Sequence, residues 1–380
     1  MATLHFLPWC RIEKTYSVGE ITIIPIRQGD PVSDLPLETL QTIHKILSGY
    51  KDLEGRSVRH FAIIQYEEFD ALADLTGDQF QTMNDCLQLS CLAGLAKRAY
   101  FNPMGPYCNT DCFISYGQRY TGSQFTALSS RRRDGQTSAM YPLSKIAMSM
   151  PVHISNAGSV VLDDALLLAL TDFRKSADPD EWGRWQNAIA CFNQANTDNE
   201  TVRPQAEWVL MCSAFEHILQ ARSEAKDVAR RLADVILPGE PVQSKNGKRR
   251  SAVWTNPEEH IRFEWMREFY RIRGDFAHGK LLTRRPTVWN EMEHLVLAAM
   301  AFPLVVRCLL QKTGHYSLTD IDIAQISCFE RLADEKFLED PPDQQYSGDS
   351  VWSRLISEER WSLVTKKAFA NLEQKGFFSN

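Results

Sequence analysis

The chain has 380 residues, 44% of them apolar and 24% charged, with a formal net charge of −6 and a sequence pI near 5.9. That length exceeds the roughly 100–200 residues of a single domain and predicts two or three, with a core large enough to need no disulfide staples. The acidic balance excludes wrapping of duplex nucleic acid by bulk charge, so any such partner must be held by local basic patches.

In chain order, the opening Met1 to Cys10 carries no basic stretch followed by an apolar run, and Pro8 with Trp9 interrupts it. No export signal is read there. The nine cysteines are odd in number and scattered, which fits a reducing cytoplasm. From Leu4 to about Ser159 the pattern mixes short strands with helices. Segments 20–26 and 59–66 read as strands, with helical spacing between them over 37–50. A second helix is expected over 77–97, then strands over 112–116 and 124–128. Residues 131–136 read as a hairpin tip, because Asp134-Gly135 suits a turn with positive φ. Residues 1–159 are therefore expected to form an α+β domain, to which the functional reading below assigns a sensing or regulatory role.

Beyond 160 strand-like alternation stops and long helical periods take over. Six helices are expected, over 163–174, 181–196, 201–222, 224–237, 258–278 and 287–311, and they suggest an antiparallel bundle across 160–313. The apolar run 295–306 is twelve residues, short of the roughly twenty that span a bilayer, so it reads as a central buried helix and no membrane partner is expected. Pro303 should kink it. Residues 314–380 read as a carboxy-terminal extension: a polar, acidic region, a linker over 338–345, and a last helix over 350–374.

Two cysteine pairs, Cys86 with Cys91 and Cys108 with Cys112, could in principle supply four thiolates to a tetrahedral zinc. Their spacings are not those of short metal knuckles, so separate buried thiols are the reading adopted, with no metal or cofactor expected. Trp182, Trp185 and Trp208 could be a base-stacking platform, but their places in amphipathic helices favour packing.

The most informative segment is Tyr270-Arg271-Ile272-Arg273-Gly274-Asp275-Phe276-Ala277-His278-Gly279. A permanent cation and a side chain that titrates near neutrality are the two groups metal-free phosphodiester cleavage needs, one to hold the phosphate and one to move protons. Ile261, Trp265, Phe269, Ile272 and Phe276 mark the buried stripe of this helix. His278 points away from that stripe. Arg273 and His278 lie roughly 140° apart on an ideal helix, whereas Arg271 falls within about 20° of His278 and Asp275 lies one turn before it. Either the helix unwinds near Gly274, or the Arg273 side chain reaches around, or a second subunit completes the site.

The bundle and this motif resemble the HEPN superfamily, in particular its ApeA-like branch. The resemblance covers about 160–313 and rests on Arg273, four intervening residues and His278-Gly279, with Glu216 on an earlier apolar helix in support. It implies an all-α HEPN-like bundle and a metal-independent endoribonuclease of anti-phage defence, toxin-like or acting by abortive infection. RNA, tRNA included, would be cut to 2′,3′-cyclic phosphate and 5′-hydroxyl ends. It also implies a homodimer or higher homo-oligomer responding to a phage-derived trigger. Arg273 and His278 would be catalytic, supported by Arg271, Asp275 and Glu216. Many members carry a polar residue directly after the arginine, where this chain has Gly274.

Lys245, Lys248, Arg249 and Arg250 in one loop, with Arg284 and Arg285 after the motif, could cradle RNA phosphates; solvated loops are the bland equivalent. Arg131, Arg132 and Arg133 read as a soluble turn. His278 could equally bond a helix-end carbonyl, and Arg273 could pair with Glu268 or Asp275. The alternative function is then a non-catalytic HEPN-like dimerisation or partner-binding module.

Overall fold

The computed structural model describes residues 2–28, 35–67, 71–72, 74–100, 105–120, 125–155, 157–236, 260–277 and 287–334, with Leu338, Glu358 and Thr365 besides. An amino-terminal antiparallel sheet region is followed by a helical carboxy-terminal region. The chain divides into two compact units: Met1–Arg98, Met104–Thr171 and Thr197–Thr201 form the first, and Ala99–Pro103, Asp172–Asn196 and Val202–Asn380 the second.

In the first unit the elements run β1 (Ala2–Leu7), β2 (Tyr16–Val18), β3 (Ile21–Arg27), α1 (Leu37–Leu47), β4 (Tyr50–Lys51), β5 (His60–Tyr66), α2 (Gly77–Leu95), β6 (Tyr116–Tyr120), β7 (Phe125–Arg132), β8 (Gly135–Pro142), β9 (Met148–Ser149), α3 (Val152–Ser155) and the start of α4 (Asp164–Ser176). Seven strands form one antiparallel sheet in the order β2-β3-β5-β1-β6-β7-β8, while β4 and β9 pair separately and in parallel.

Strand β1 lies inside the sheet and is buried on both faces. Leu4 and Phe6 enter the core with Ile43, Ile46 and Leu47 of α1, Ile26 of β3 and Ile63 of β5. The alternate residues Thr3 and His5 face the other side, where Thr3 donates to Asp74 at 2.5 Å and His5 lies 5.8 Å from the Phe80 ring of α2. In the sequence its alternation of polar and apolar residues runs only from Thr3 to Phe6 before Leu7 and Pro8, a short signal. Helix α2 begins in a reciprocal capping box between Thr76 and Gln79.

Two local expectations need correction. The strand expected over 112–116 is a short 3-10 turn, Thr110–Phe113, and strand β6 starts only at Tyr116. The buried Asn109 dictates this: its carbonyl accepts from the Cys112 amide at 3.2 Å, its Oδ1 lies 3.4 Å from the Cys112 thiol, and its Nδ2 donates to the His153 carbonyl at 3.2 Å. The hairpin tip lies where it was expected, but Arg132 pairs with Gly135, so the turn residues are Arg133 and Asp134 and the positive φ, 140°, is at Gly135. Arg132 forks onto Asp134 at 2.9 and 2.8 Å.

The second unit holds α5 (Pro179–Gln194), α6 (Pro204–Leu219), α7 (Ala225–Val235), α8 (Ile261–Ala277), α9 (Glu291–Lys312) and α10 (Asp320–Asp334). Asp178 caps α5 ahead of Pro179, and Asn290 with Glu293 closes a capping box at the start of α9. Aromatic pairs knit the helices together: Phe192 of α5 stacks on Phe302 of α9 at 4.3 Å, Trp208 of α6 on Phe269 of α8 at 4.7 Å, and Trp265 of α8 meets Phe329 of α10 edge-on at 5.4 Å. Helix α9 continues through Pro303, and 83% of its most apolar window is buried inside the chain. Helix α10 replaces the polar segment expected after His315. Two of its acidic residues are drawn inward instead, Asp322 to Arg307 at 3.4 Å and Glu330 to Arg262 at 3.0 Å. The helix expected over 350–374 lies outside the described residues, apart from Glu358 and Thr365.

His5 makes the first unit sensitive to acid. Burial pulls its imidazole down to about 4 against the opposing attraction of Asp74, and its Nδ1 is buried without a hydrogen bond. Opposite it Gly117 leaves room that a Cβ, 3.2 Å from the ring, would remove. The unfolded chain binds a proton near pH 6.5 that the native state refuses until about 4, so this contribution is full above pH 6.5 and is lost as pH falls to 4. The expected loss between pH 7 and 4 is on the order of 3 kcal/mol. Urea unfolding over that range should show the wild type losing about that much more stability on acidification than His5→Leu does.

Candidate active site

Helix α8 is buried around its whole circumference at its start: Ile261, Arg262, Phe263, Glu264, Trp265 and Met266 are all buried. The expected stripe holds, with Ile261, Trp265 and Phe269 at zero exposure and Ile272 at 3%. Toward its end the helix opens, and Arg271, Arg273, Gly274, Asp275 and Phe276 are half-buried. It continues unbroken through Ala277, and the space where a Cβ at Gly274 would stand is empty. Gly274 therefore does not unwind the helix, which removes the first of the three geometries considered for the motif.

Arg273 turns toward α6. Its Nη1 donates to the Tyr270 hydroxyl at 3.2 Å, its Nη2 lies 3.5 Å from Glu216 Oε2, and its guanidinium sits over the Tyr270 ring at 5.4 Å. Tyr270 in turn donates to Glu216 Oε1. The three side chains close a loop in which the phenol accepts from the cation and donates to the anion. Burial, and then the bond to Glu216 and its charge, push the Tyr270 hydroxyl well above its usual range, so it stays a neutral donor. One turn earlier on α6 the Cys212 thiol is fully buried and pushed up by that burial, with the Arg273 charge acting against it.

Two of the five N–H donors of Arg273 are engaged in this loop, and its Nε is buried without a partner. Its side chain keeps 28% exposure against 14% for Glu216. The arrangement offers a guanidinium fixed in position and partly open to solvent, which can bind an oxyanion with its remaining donors.

The other expected site residues divide. Glu216, expected on an apolar helix, joins Arg273. Arg271 and Asp275 are each two residues from Arg273, roughly 200° around the helix, and so belong to its opposite side. The Arg271 Nε is likewise buried without a hydrogen bond. His278, Lys245, Lys248, Arg249, Arg250, Arg284 and Arg285 lie outside the described residues. His217 is exposed. Trp185 and Trp208 are core residues, and Trp208 donates to the Phe269 carbonyl at 2.9 Å.

Glu268, weighed above as a surface partner for Arg273, is instead buried. It accepts from the Val288 and Trp289 amides at 2.9 and 3.1 Å and meets His294 Nε2 at 3.1 Å. Tyr270 was part of the motif but carried no assigned role; its position one turn before Arg273 is the signal that places both on one face. Among the described residues no group of three or more His, Cys, Asp and Glu side chains is placed to hold a metal. The Cys86 thiol lies 3.4 Å from Glu20 Oε2, while burial pushes Cys91 up to about 12 and Cys112 to about 11.

Compared with known proteins, the chain matches no family model, no curated protein and no solved structure.

The loop of three side chains is expected to act as a unit. Tyr270→Phe should cost about 1–2 kcal/mol, and Glu216→Ala more, because it strips a half-buried cation of its counter-charge. The double variant should depart from additivity by roughly 0.5–3 kcal/mol. Urea denaturation of the four proteins measures this, and simple additivity would refute the coupling.

Proposed function

We propose that this chain is a metal-independent endoribonuclease of the HEPN type, acting in the cytoplasm in defence against phage. The observation that carries the reading is Arg273, anchored by Glu216 and Tyr270 at the end of a continuous helix, five positions before His278. The motif spacing and the helical second unit support it. In this reading His278 takes the proton of a ribose 2′-hydroxyl, the 2′ oxygen forms a bond to phosphorus, and the bond to the 5′ oxygen breaks as that oxygen gains a proton. Arg273 holds the pentacoordinate anion. The products are a 2′,3′-cyclic phosphate and a 5′-hydroxyl. Because Arg273 faces α6, the partner histidine of a second copy is the simplest way to bring both groups to one phosphate, and a homodimer is part of the proposal. The first unit then senses a phage-derived trigger or restrains the second.

One observation favours the alternative, a non-catalytic dimerisation or partner-binding module: the Glu216 carboxylate already neutralises Arg273, and a phosphate would have to compete with it. The two readings separate when purified wild type, Arg273→Ala and His278→Ala are incubated with total cellular RNA, tRNA included, and the new ends are mapped. Catalysis predicts cleavage that survives EDTA, cyclic phosphate ends, and losses of roughly 10²–10³-fold for Arg273→Ala and 10²–10⁴-fold for His278→Ala. Wild-type RNA left intact, or cut equally by both folded variants, would favour the module.

A further inference from the structure

The seven-stranded sheet of the first unit ends unequally. At one edge β2 is three residues long, too short to template another strand. At the other edge β8 runs eight residues, Gly135–Pro142, and pairs with β7 through eight consecutive residues without a bulge. No other described strand pairs with its outer side.

Long open edges are normally blunted by charge, by proline within the strand or by a bulge, because their backbone groups invite another strand. Strand β8 reads Gly-Gln-Thr-Ser-Ala-Met-Tyr-Pro, with no charged residue and its only proline at the last position. Every residue of β8 from Thr137 to Tyr141 is exposed, Met140 at 61% and Tyr141 at 44%, and Phe125 opposite Pro142 adds 43%. The charges of this ribbon are all at its tip, where Arg131, Arg132 and Arg133 accompany the single acid Asp134.

We infer that the β8 edge is a self-association surface, at which β8 of a second copy of this chain adds antiparallel and joins the two sheets across a twofold axis. A neutral strand is self-complementary in that orientation, since no like charges face one another along it. With the axis near Ser138 and Ala139, the arginine tip of each ribbon lies beside the Pro142 end of the other, and the tips stand roughly 30 Å apart at 3.4 Å per residue. Parallel addition would instead set six arginines within about a Debye length. The tip therefore selects the antiparallel arrangement, as the neutral edge selects a copy of itself over a charged partner. This contact is independent of whether the chain cuts RNA.

The test reads β8 directly, because the helical unit could associate by itself. Amide hydrogen exchange of the full chain is followed at rising protein concentration for the wild type and for two double variants, Ala139→Lys with Met140→Lys and Ala139→Glu with Met140→Glu. Both positions are exposed, and protection across β5 in the same experiment reports an intact sheet. The expected result is protection of 135–142 that grows with concentration in the wild type. Each variant alone should associate roughly 100-fold more weakly through like charges at the axis, and an equimolar mixture of the two should recover protection. Exchange independent of concentration in the wild type, as a segment of the same chain on the edge would give, overturns the inference. So does unchanged protection in either variant, or no recovery in the mixture.

Discussion

Helix α8 carries ionisable side chains into a hydrocarbon interior, and each of them needs a partner. Removing a charge from water is costly unless a counter-charge and hydrogen bonds meet it. Arg262 finds Glu330 on α10, Glu268 finds His294 on α9 and the two amides ahead of that helix, and Arg273 finds Glu216 on α6. Glu264 is met within the helix by Arg267 at 2.6 Å. The stacked aromatic rings could tolerate small slips of one helix past another; these pairs could not. They set the register of α6, α9 and α10 on α8, and the rest of the second unit is arranged around that register.

The same constraint shapes the candidate site. Arg273 is immobilised because Glu216 and Tyr270 engage one side of its guanidinium, which removes much of the entropy an oxyanion ligand would otherwise have to offset. The carboxylate also lowers the net charge an incoming phosphate would meet. A site of this kind favours a ligand that brings more than one negative oxygen, since a single weak acceptor gains little over the bonds already present. Position and charge thus pull in opposite directions at Arg273, and Tyr270, neutral and bonded to both, links the two.

In the first unit the controlling feature is a strand buried on both faces. Because β1 lies between β5 and β6, its odd and even residues meet different layers, and a polar residue such as His5 is held in an apolar setting with only a glycine across from it. The price of that burial appears as acid sensitivity. The two edges of the same sheet differ in kind: one is closed by shortness, while the other extends into a ribbon whose charges gather at its turn.

Helices α5 to α9 of the second unit and several elements of the first were legible in the sequence because their signals are local: apolar spacing of three and four, and a glycine at a hairpin. The stripe from Ile261 to Ile272 was legible for the same reason. Strand β1 was not, since its alternation spans only Thr3 to Phe6 before Leu7 and Pro8. Helix α10 was not, because its carboxylates look like those of a solvated segment until Arg262 and Arg307 meet them. Arg273 as a cation of interest came from the sequence by itself, and so did the suggestion of Glu216. That the two belong together, with Tyr270 between them, was decided by tertiary structure alone. Spacing along a chain fixes which residues share one helix face, but contact between helices 57 residues apart depends on how whole faces pack.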